Sequence, residues 1–187
     1  MTTMKHSLNT LKFVAITAAA MGAGQAFAHV SLAEPAALAN GGYKAVFTVG
    51  HGCDGAATTA LRVSLPPGFS GARPMPKAGW ILNVRRAPLA QPITSHGKTV
   101  TDDVAEITWT AASPANALPD AYFDEFVLRG SLGEKAGPMW FKVLQTCDTV
   151  AADWAQVPAT GTSTKGLARP AVLLEVIPSE AVGAHQH

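Results

Sequence analysis

The stretch PMWFKVLQTC, residues 138–147, decides the fold class. Every second side chain from Met139 to Cys147 lies on one side of an extended chain, whereas Trp140 and Lys142 lie on the other. A period of two residues indicates a β-strand rather than a helix. The stretch therefore predicts a strand in which Trp140 and Cys147 point in opposite directions.

Other runs rich in valine, phenylalanine, isoleucine, threonine and tryptophan extend this pattern along the chain. We predict strands at 43–50, 59–65, 80–86, 104–110, 121–129, 138–147 and 171–177. The glycine and proline clusters that separate these runs are Asn40-Gly41-Gly42, Pro66-Pro67-Gly68, Ala87-Pro88, Ser113-Pro114 and Gly137-Pro138. The pattern predicts an all-β sandwich or barrel of about seven to eight strands.

Residues 1–28 have the charge and hydropathy order of a secretory signal peptide. Lys5 and Lys12 precede an apolar run, and the segment ends in the small-residue triplet Ala26-Phe27-Ala28. The run is too short to cross a membrane, and no later segment has 18 consecutive apolar residues. We therefore expect cleavage after Ala28, export to the periplasm, one domain at 29–178 and a flexible tail at 179–187.

The charges and the cysteines narrow the class of protein further. The chain has 14 Lys plus Arg and 13 Asp plus Glu, so it has no strongly basic face for nucleic acid. Cys53 and Cys147 are its two cysteines, and in an oxidising compartment we expect them to form a disulfide. Closing a loop of roughly 95 residues would stabilise the fold by about 4 to 5 kcal/mol. A thiolate metal site is the alternative, but no CxxC spacing supports it.

His29 is the first candidate functional residue, because the predicted cleavage would make it the amino-terminal residue. Its free α-amine and its imidazole Nδ1 could then bind one metal ion in a single chelate ring. Among divalent first-row ions, copper(II) binds such nitrogen pairs most tightly. The alternatives are that cleavage occurs elsewhere, or that His29 only begins an edge strand.

The order of several short segments resembles the YcnI-like family of exported copper-binding proteins. These segments are Ala28-His29-Val30-Ser31, Glu34-Pro35, Gly42-Tyr43-Lys44, His51-Gly52-Cys53-Asp54-Gly55, Thr59-Ala60-Leu61-Arg62-Val63, Met75-Pro76-Lys77-Ala78-Gly79-Trp80, Ile107-Thr108-Trp109, Asp124-Glu125-Phe126 and residues 140–147. The resemblance implies a cupredoxin-like or immunoglobulin-like β-sandwich. It also implies one copper(II) ion held by His29 in a monohistidine brace, with Glu125 as oxygen ligand and Trp140 lining the site.

Other candidate ligands remain beside this set. Glu34 is an alternative carboxylate, although Pro35 follows it and a solvated strand end would also explain it. His51 and His96 lie in glycine-containing turns, where a structural role or solvent exposure accounts for each. His185 and His187 in the tail form an alternating pair that predicts a secondary, weaker metal contact.

Three functions follow from these residues. We expect a non-enzymatic copper chaperone or buffer that exchanges copper(II) with an exported cuproprotein or a copper transporter. A copper-independent adhesion or assembly module is the first alternative. A copper monooxygenase is the second, but such enzymes normally recruit a second histidine to the brace. No serine-nucleophile pattern predicts a hydrolase.

Overall fold

The computed structural model describes residues 29–95 and 97–179. These residues form eleven strands and one short 3-10 helix, Pro114–Asn116. The strands are β1 (Ser31–Leu32), β2 (Ala36–Leu38), β3 (Gly42–Val49), β4 (Thr58–Ser64), β5 (Phe69–Pro74), β6 (Trp80–Ser95), β7 (Lys98–Ala111), β8 (Asp124–Leu132), β9 (Gly137–Cys147), β10 (Val150–Trp154) and β11 (Val172–Ile177). The predicted signal peptide, His96, His185 and His187 lie outside the described residues.

The strands form two sheets. Sheet I has the order β1-β3-β8-β5, and sheet II has the order β2-β11-β9-β4-β7-β6 with β10 also paired to β9. Every pairing is antiparallel except that of β2 with β11. The all-β sandwich prediction is confirmed. The strand number was underestimated because β1, β2 and β10 are short, and because β5 contains Gly71 and Pro74, which are typical of turns.

The core lies between the inner faces of the two sheets. Phe141 and Val143 of β9 are fully buried, and the ring of Phe141 meets that of Phe47 from sheet I at 5.5 Å in an edge-to-face contact. Trp140 is half-buried on the outer face of sheet II, and Cys147 points inward. The alternation predicted for this strand is confirmed.

The long β6–β7 hairpin departs from the prediction, which ended the first strand at Arg86. Instead, β6 continues past Pro88 and Pro92 to Ser95. Its register against β7 shifts between Pro88 and Ile93, so that four residues of β6 lie opposite one residue of β7. Proline is tolerated here because β6 is an edge strand, whose outer N–H groups have no partner strand.

The start of β8 also differs from the prediction. The strand begins at Asp124 rather than at 121, because the Tyr122 N–H donates to the Pro119 carbonyl in a turn. The side chains of Tyr122 and Phe123 are therefore exposed. Three consecutive residues of β8, Phe126 to Leu128, are buried, whereas Glu125 and Arg129 on either side of them are exposed.

The predicted disulfide between Cys53 and Cys147 is present, with 5.8 Å between the two Cα atoms. Cys53 lies in the loop that leaves β3 of sheet I, and Cys147 ends β9 of sheet II. The bond therefore fastens the two sheets to each other at one end. We call this end of the sandwich the disulfide end.

Tyr43 fastens the opposite end of β3. Its ring is buried, and its hydroxyl donates to the backbone carbonyl of Glu34 in the β1–β2 connection. Burial raises the pKa of Tyr43 to about 12, and the nearby charge of Glu34 adds to this effect. The folded chain therefore keeps the Tyr43 proton at pH values where the unfolded chain, with its ordinary pKa of 10.0, loses it.

We predict that Tyr43 makes the unfolding free energy fall as the pH rises from 10 toward 12. In this interval the folded state keeps the Tyr43 proton whereas the unfolded state releases it, so a rise in pH favours the unfolded state. The unfolding free energy therefore falls by about 1 to 1.5 kcal/mol by pH 11. Tyr43→Phe should lose about 1 kcal/mol at pH 8 but lack this additional decrease. Urea unfolding at pH 8 to 11 measures both quantities.

Tyr122→Phe is the matched control, because the Tyr122 side chain is exposed. It should keep the wild-type dependence on pH. If the Tyr43→Phe protein lost as much stability between pH 8 and 11 as the wild type, the proton on Tyr43 would not be the cause.

Candidate functional site

His29 lies at the edge of the sandwich, two residues before β1, with its side chain exposed. Its ring centroid is 5.4 Å from that of Trp154, and the ring planes are inclined at 56°. Trp154 ends β10 of sheet II and is only 5% exposed. The contact therefore joins the beginning of the domain in sheet I to a fixed aromatic ring in sheet II.

Trp154 is held in place by the buried amide of Gln145. The indole Nε1 donates to Gln145 Oε1 at 3.2 Å. Gln145 Nε2 donates at 2.8 Å to the His51 carbonyl and at 2.8 Å to Thr58 Oγ1. Since Gln145 is only 2% exposed, these bonds satisfy a polar group that burial would otherwise destabilise. They also place the loop containing His51 near Trp154.

A tight turn fixes His51 at the disulfide end. The Gly52 N–H donates to Asp120 Oδ1 at 3.0 Å, and His51 Nδ1 lies 4.0 Å from the same oxygen. Nδ1 also contacts the Gly52 carbonyl. Only glycine fits at position 52, because a Cβ there would lie 1.8 Å from the Ala56 carbonyl oxygen. The expected turn role of His51 agrees with this geometry.

Glu125 lies on the outer face of sheet I, away from the core. The sheet register places Ser31 opposite Thr48, and Thr48 opposite Glu125. The distance from Glu125 to β1 across the sheet is therefore two strand spacings, or about 10 Å. The Glu125 side chain is exposed, and its carbonyl accepts a hydrogen bond from Lys77 Nζ. The register therefore places Glu125 two strands away from β1, the strand that follows His29.

Strand register and hydrogen bonds also give the positions of Trp140 and Glu34. Trp140 lies opposite Leu173 on the outer face of sheet II, whereas Trp154 lies opposite Val143 on the inner side. The Glu34 carbonyl accepts from the Tyr43 hydroxyl, and the preceding residue, Ala33, donates to the Val46 carbonyl near the middle of β3. The tryptophan beside His29 is therefore Trp154, not the predicted Trp140.

The sequence contained a signal for Trp154. The short run VAADW, residues 150–154, follows the turn after Cys147 and pairs back on β9 with Val150 opposite Cys147. Continuing that register places Trp154 on the side of the inward residues of β9. A hairpin was not predicted here because the run is short and contains two alanines.

The described residues contain no metal site built from several side chains. Within residues 29–95 and 97–179, no group of three or more His, Cys, Asp and Glu side chains could hold a metal ion. A brace needs fewer side chains, because the amine and imidazole of a terminal His29 supply two nitrogens. The same part of the chain contains no helix long and apolar enough to cross a membrane.

Comparisons with known proteins give the family and the fold. A family model described as a domain of unknown function, DUF1775, matches residues 29–176. Among solved structures, the chain is similar to an uncharacterized protein from Nocardia farcinica whose crystal structure reveals an immunoglobulin-like fold. The identity is 27% and the TM-score 0.61, over 79% of this chain and 97% of that chain. No curated protein matches. The immunoglobulin-like form of the predicted sandwich is confirmed.

We predict that Gln145→Leu lowers the unfolding free energy by about 3 kcal/mol. Leucine leaves the buried partners of the amide without hydrogen bonds, at about 1 to 3 kcal/mol for each unsatisfied group. Urea unfolding measures the change. Gln156→Leu is the matched control, because Gln156 is exposed although its Oε1 also accepts a backbone hydrogen bond. A loss below about 1 kcal/mol for Gln145→Leu would show that the network does not stabilise this end.

Proposed function

The chain belongs to the DUF1775 family, whose description gives no activity, and we propose from its own residues that it is an exported copper(II)-binding protein. It would act as a copper chaperone or buffer rather than as an enzyme. The observation that carries the proposal is the position of His29. This residue is the first of the family match, is exposed, and lies against the buried Trp154.

Cleavage after Ala28 would give His29 a free amine beside its own imidazole. Together these supply two neighbouring nitrogen donors, which suit the tetragonal geometry of copper(II). Because His29 lies at the edge of the sandwich, a partner such as an exported cuproprotein or a copper transporter would reach the site directly. The resemblance to YcnI-like copper-binding proteins supports the same assignment.

Trp154 would form one wall of this site. The hydrogen bond to Gln145 fixes the indole, so that its ring lies beside His29 without reorganisation. An aromatic face attracts positive charge and excludes water from one side of a bound cation. We therefore assign to Trp154 the lining role that the resemblance gave to Trp140.

Two sources of a further donor are compatible with the proposal. Glu125 is the carboxylate implied by the resemblance, and it lies on the outer face of sheet I. The pair His51 and Asp120 is the alternative at the disulfide end. His29 contacts the ring of Trp154, whose indole donates to Gln145. Gln145 in turn donates to the carbonyl of His51, the residue that lies beside Asp120. Glu34 has less support, because its carbonyl is bound by the hydroxyl of Tyr43, a residue at the start of β3.

Export to the periplasm with removal of residues 1–28 is part of the proposal. The Cys53–Cys147 disulfide supports it, because such bonds persist mainly in oxidising compartments.

We predict that copper(II) binding requires His29 to be the first residue. Protein that begins at His29 should bind one copper(II) ion and give a nitrogen-coordinated electron paramagnetic resonance signal. Protein whose His29 α-amine is acetylated should lose that signal, because the blocked amine is no longer a nitrogen donor. Titration followed by this spectroscopy measures both.

Both proteins should carry His185→Ala and His187→Ala, so that the tail contributes no signal. Glu125→Gln and His51→Gln are then made separately in the protein that begins at His29. The substitution that changes the copper spectrum identifies the further donor. If the acetylated protein bound copper(II) as well as the protein with a free His29 amine, the brace proposal would fail. A copper-independent interaction module would then be the better hypothesis.

We predict that copper(II) quenches the fluorescence of Trp154 more than that of Trp140. Trp154→Phe should remove most of the quenching and weaken binding, because the ring beside His29 is changed. Trp140→Phe, on the outer face of sheet II, should preserve both the quenching and the affinity. Equal effects of the two substitutions would show that Trp154 does not line the site.

A further inference from the structure

Three cationic side chains lie side by side on the outer face of sheet I, independently of the copper proposal. The register places Lys44 of β3 opposite Arg129 of β8, and Arg129 opposite Arg73 of β5. All three are exposed, and none makes an ion pair with a described residue. Because neighbouring strands are about 4.8 Å apart, the row is about 10 Å long.

Such a row is unfavourable for the isolated fold. Like charges directly opposite each other on neighbouring strands destabilise a sheet, and Arg129 has a cation on both sides. An anion placed over Arg129 would replace this repulsion with attraction. The charges of the row therefore favour the binding of an anion and do not stabilise the fold.

A β-bulge brings Arg73 into the row. The register of β5 against β8 shifts between Ser70 and Arg73, and Gly71 adopts a φ of 60°. Asp103 of β7 fixes the bulge, since its Oδ2 accepts from the Gly71 N–H at 2.8 Å and its Oδ1 from the Val104 N–H at 2.7 Å. This carboxylate is therefore already hydrogen-bonded through both oxygens.

The β6–β7 hairpin closes one side of the row and makes a groove of about 980 Å³. We call this the cationic groove; its lining includes Lys44, Arg73, Arg129, Ser70, Ser131 and Arg86. Arg86 donates to Asp102 at 2.6 Å, and this hydrogen bond lowers the pKa of Asp102. Arg86 is paired with Asp102, and Asp103 keeps its negative charge although backbone N–H groups hold it, so the three cations of the row leave the groove with a net charge of +2.

We propose that the cationic groove binds a small molecule that carries two or more oxyanion groups, either phosphate or carboxylate. Guanidinium groups bind both through paired N–H donors, so Arg129 and Arg73 would hold neighbouring groups and Lys44 the end of the ligand. The hydroxyls of Ser70 and Ser131 add donors beside the row. A small ligand fits better than a polyanionic polymer, because the basic row is only about 10 Å long and the whole chain has a net charge of +1.

Isothermal titration of the purified metal-free protein with tripolyphosphate and, separately, with citrate tests the proposal. At low ionic strength we expect saturable binding of at least one probe with 1:1 stoichiometry. Arg129→Gln should weaken it about tenfold or more, because the central charged hydrogen-bond donor is lost. Tighter binding of tripolyphosphate would indicate a phosphate ligand, and tighter binding of citrate would indicate a carboxylate ligand.

Arg169→Gln is the control, since it removes the same charge from an exposed residue outside the groove. It should bind the probe as the wild type does. Arg129→Gln without ligand should also melt at or above the wild-type temperature, because it relieves repulsion within the row. Equal loss of binding in the two variants, or no saturable binding of either probe, would overturn the proposal whatever the outcome for copper.

Discussion

The buried amide of Gln145 is the constraint on which the disulfide end depends. In a dry interior each of its polar atoms must be hydrogen-bonded, and its partners come from three separate segments: the His51 loop, β4 and β10. The hydrogen bonds of this one side chain therefore fix the relative positions of the three segments. The disulfide at Cys147, two residues along the same strand, closes this end covalently. The hydrogen bond to Gln145 also fixes the Trp154 ring against which His29 lies.

Much of the fold could be predicted because it depends on local patterns. The alternation in residues 138–147 gave the inward and outward faces of β9, and the two cysteines gave the covalent bond between the sheets. The continuation of β6 past Pro88 could not be predicted in this way. A proline ends a central strand but is tolerated at an edge, and only the complete sheet order shows that β6 is an edge strand.

The candidate site could also be predicted only in part from local sequence. His29 was found from a signal within a few residues, the predicted cleavage triplet before it. Its neighbour Trp154 is 125 positions away in sequence, and their contact depends on how the two sheets pack. Trp140 and Trp154 are both tryptophans near the end of the chain, yet they lie on opposite faces of sheet II. Residue type alone does not distinguish them, whereas strand register does.

The two prolines of β6 also bear on how molecules of this protein meet one another. A long exposed edge, with Ile81 and Val84 uncovered, is a surface on which a second chain can add a strand. Pro88 and Pro92 have no N–H to donate. The register of β6 against β7 shifts between Pro88 and Ile93, and such an irregularity bends a strand. The outer half of the hairpin is therefore a poor template for intermolecular β-sheet, so the edge beside the cationic groove can stay uncovered without promoting aggregation.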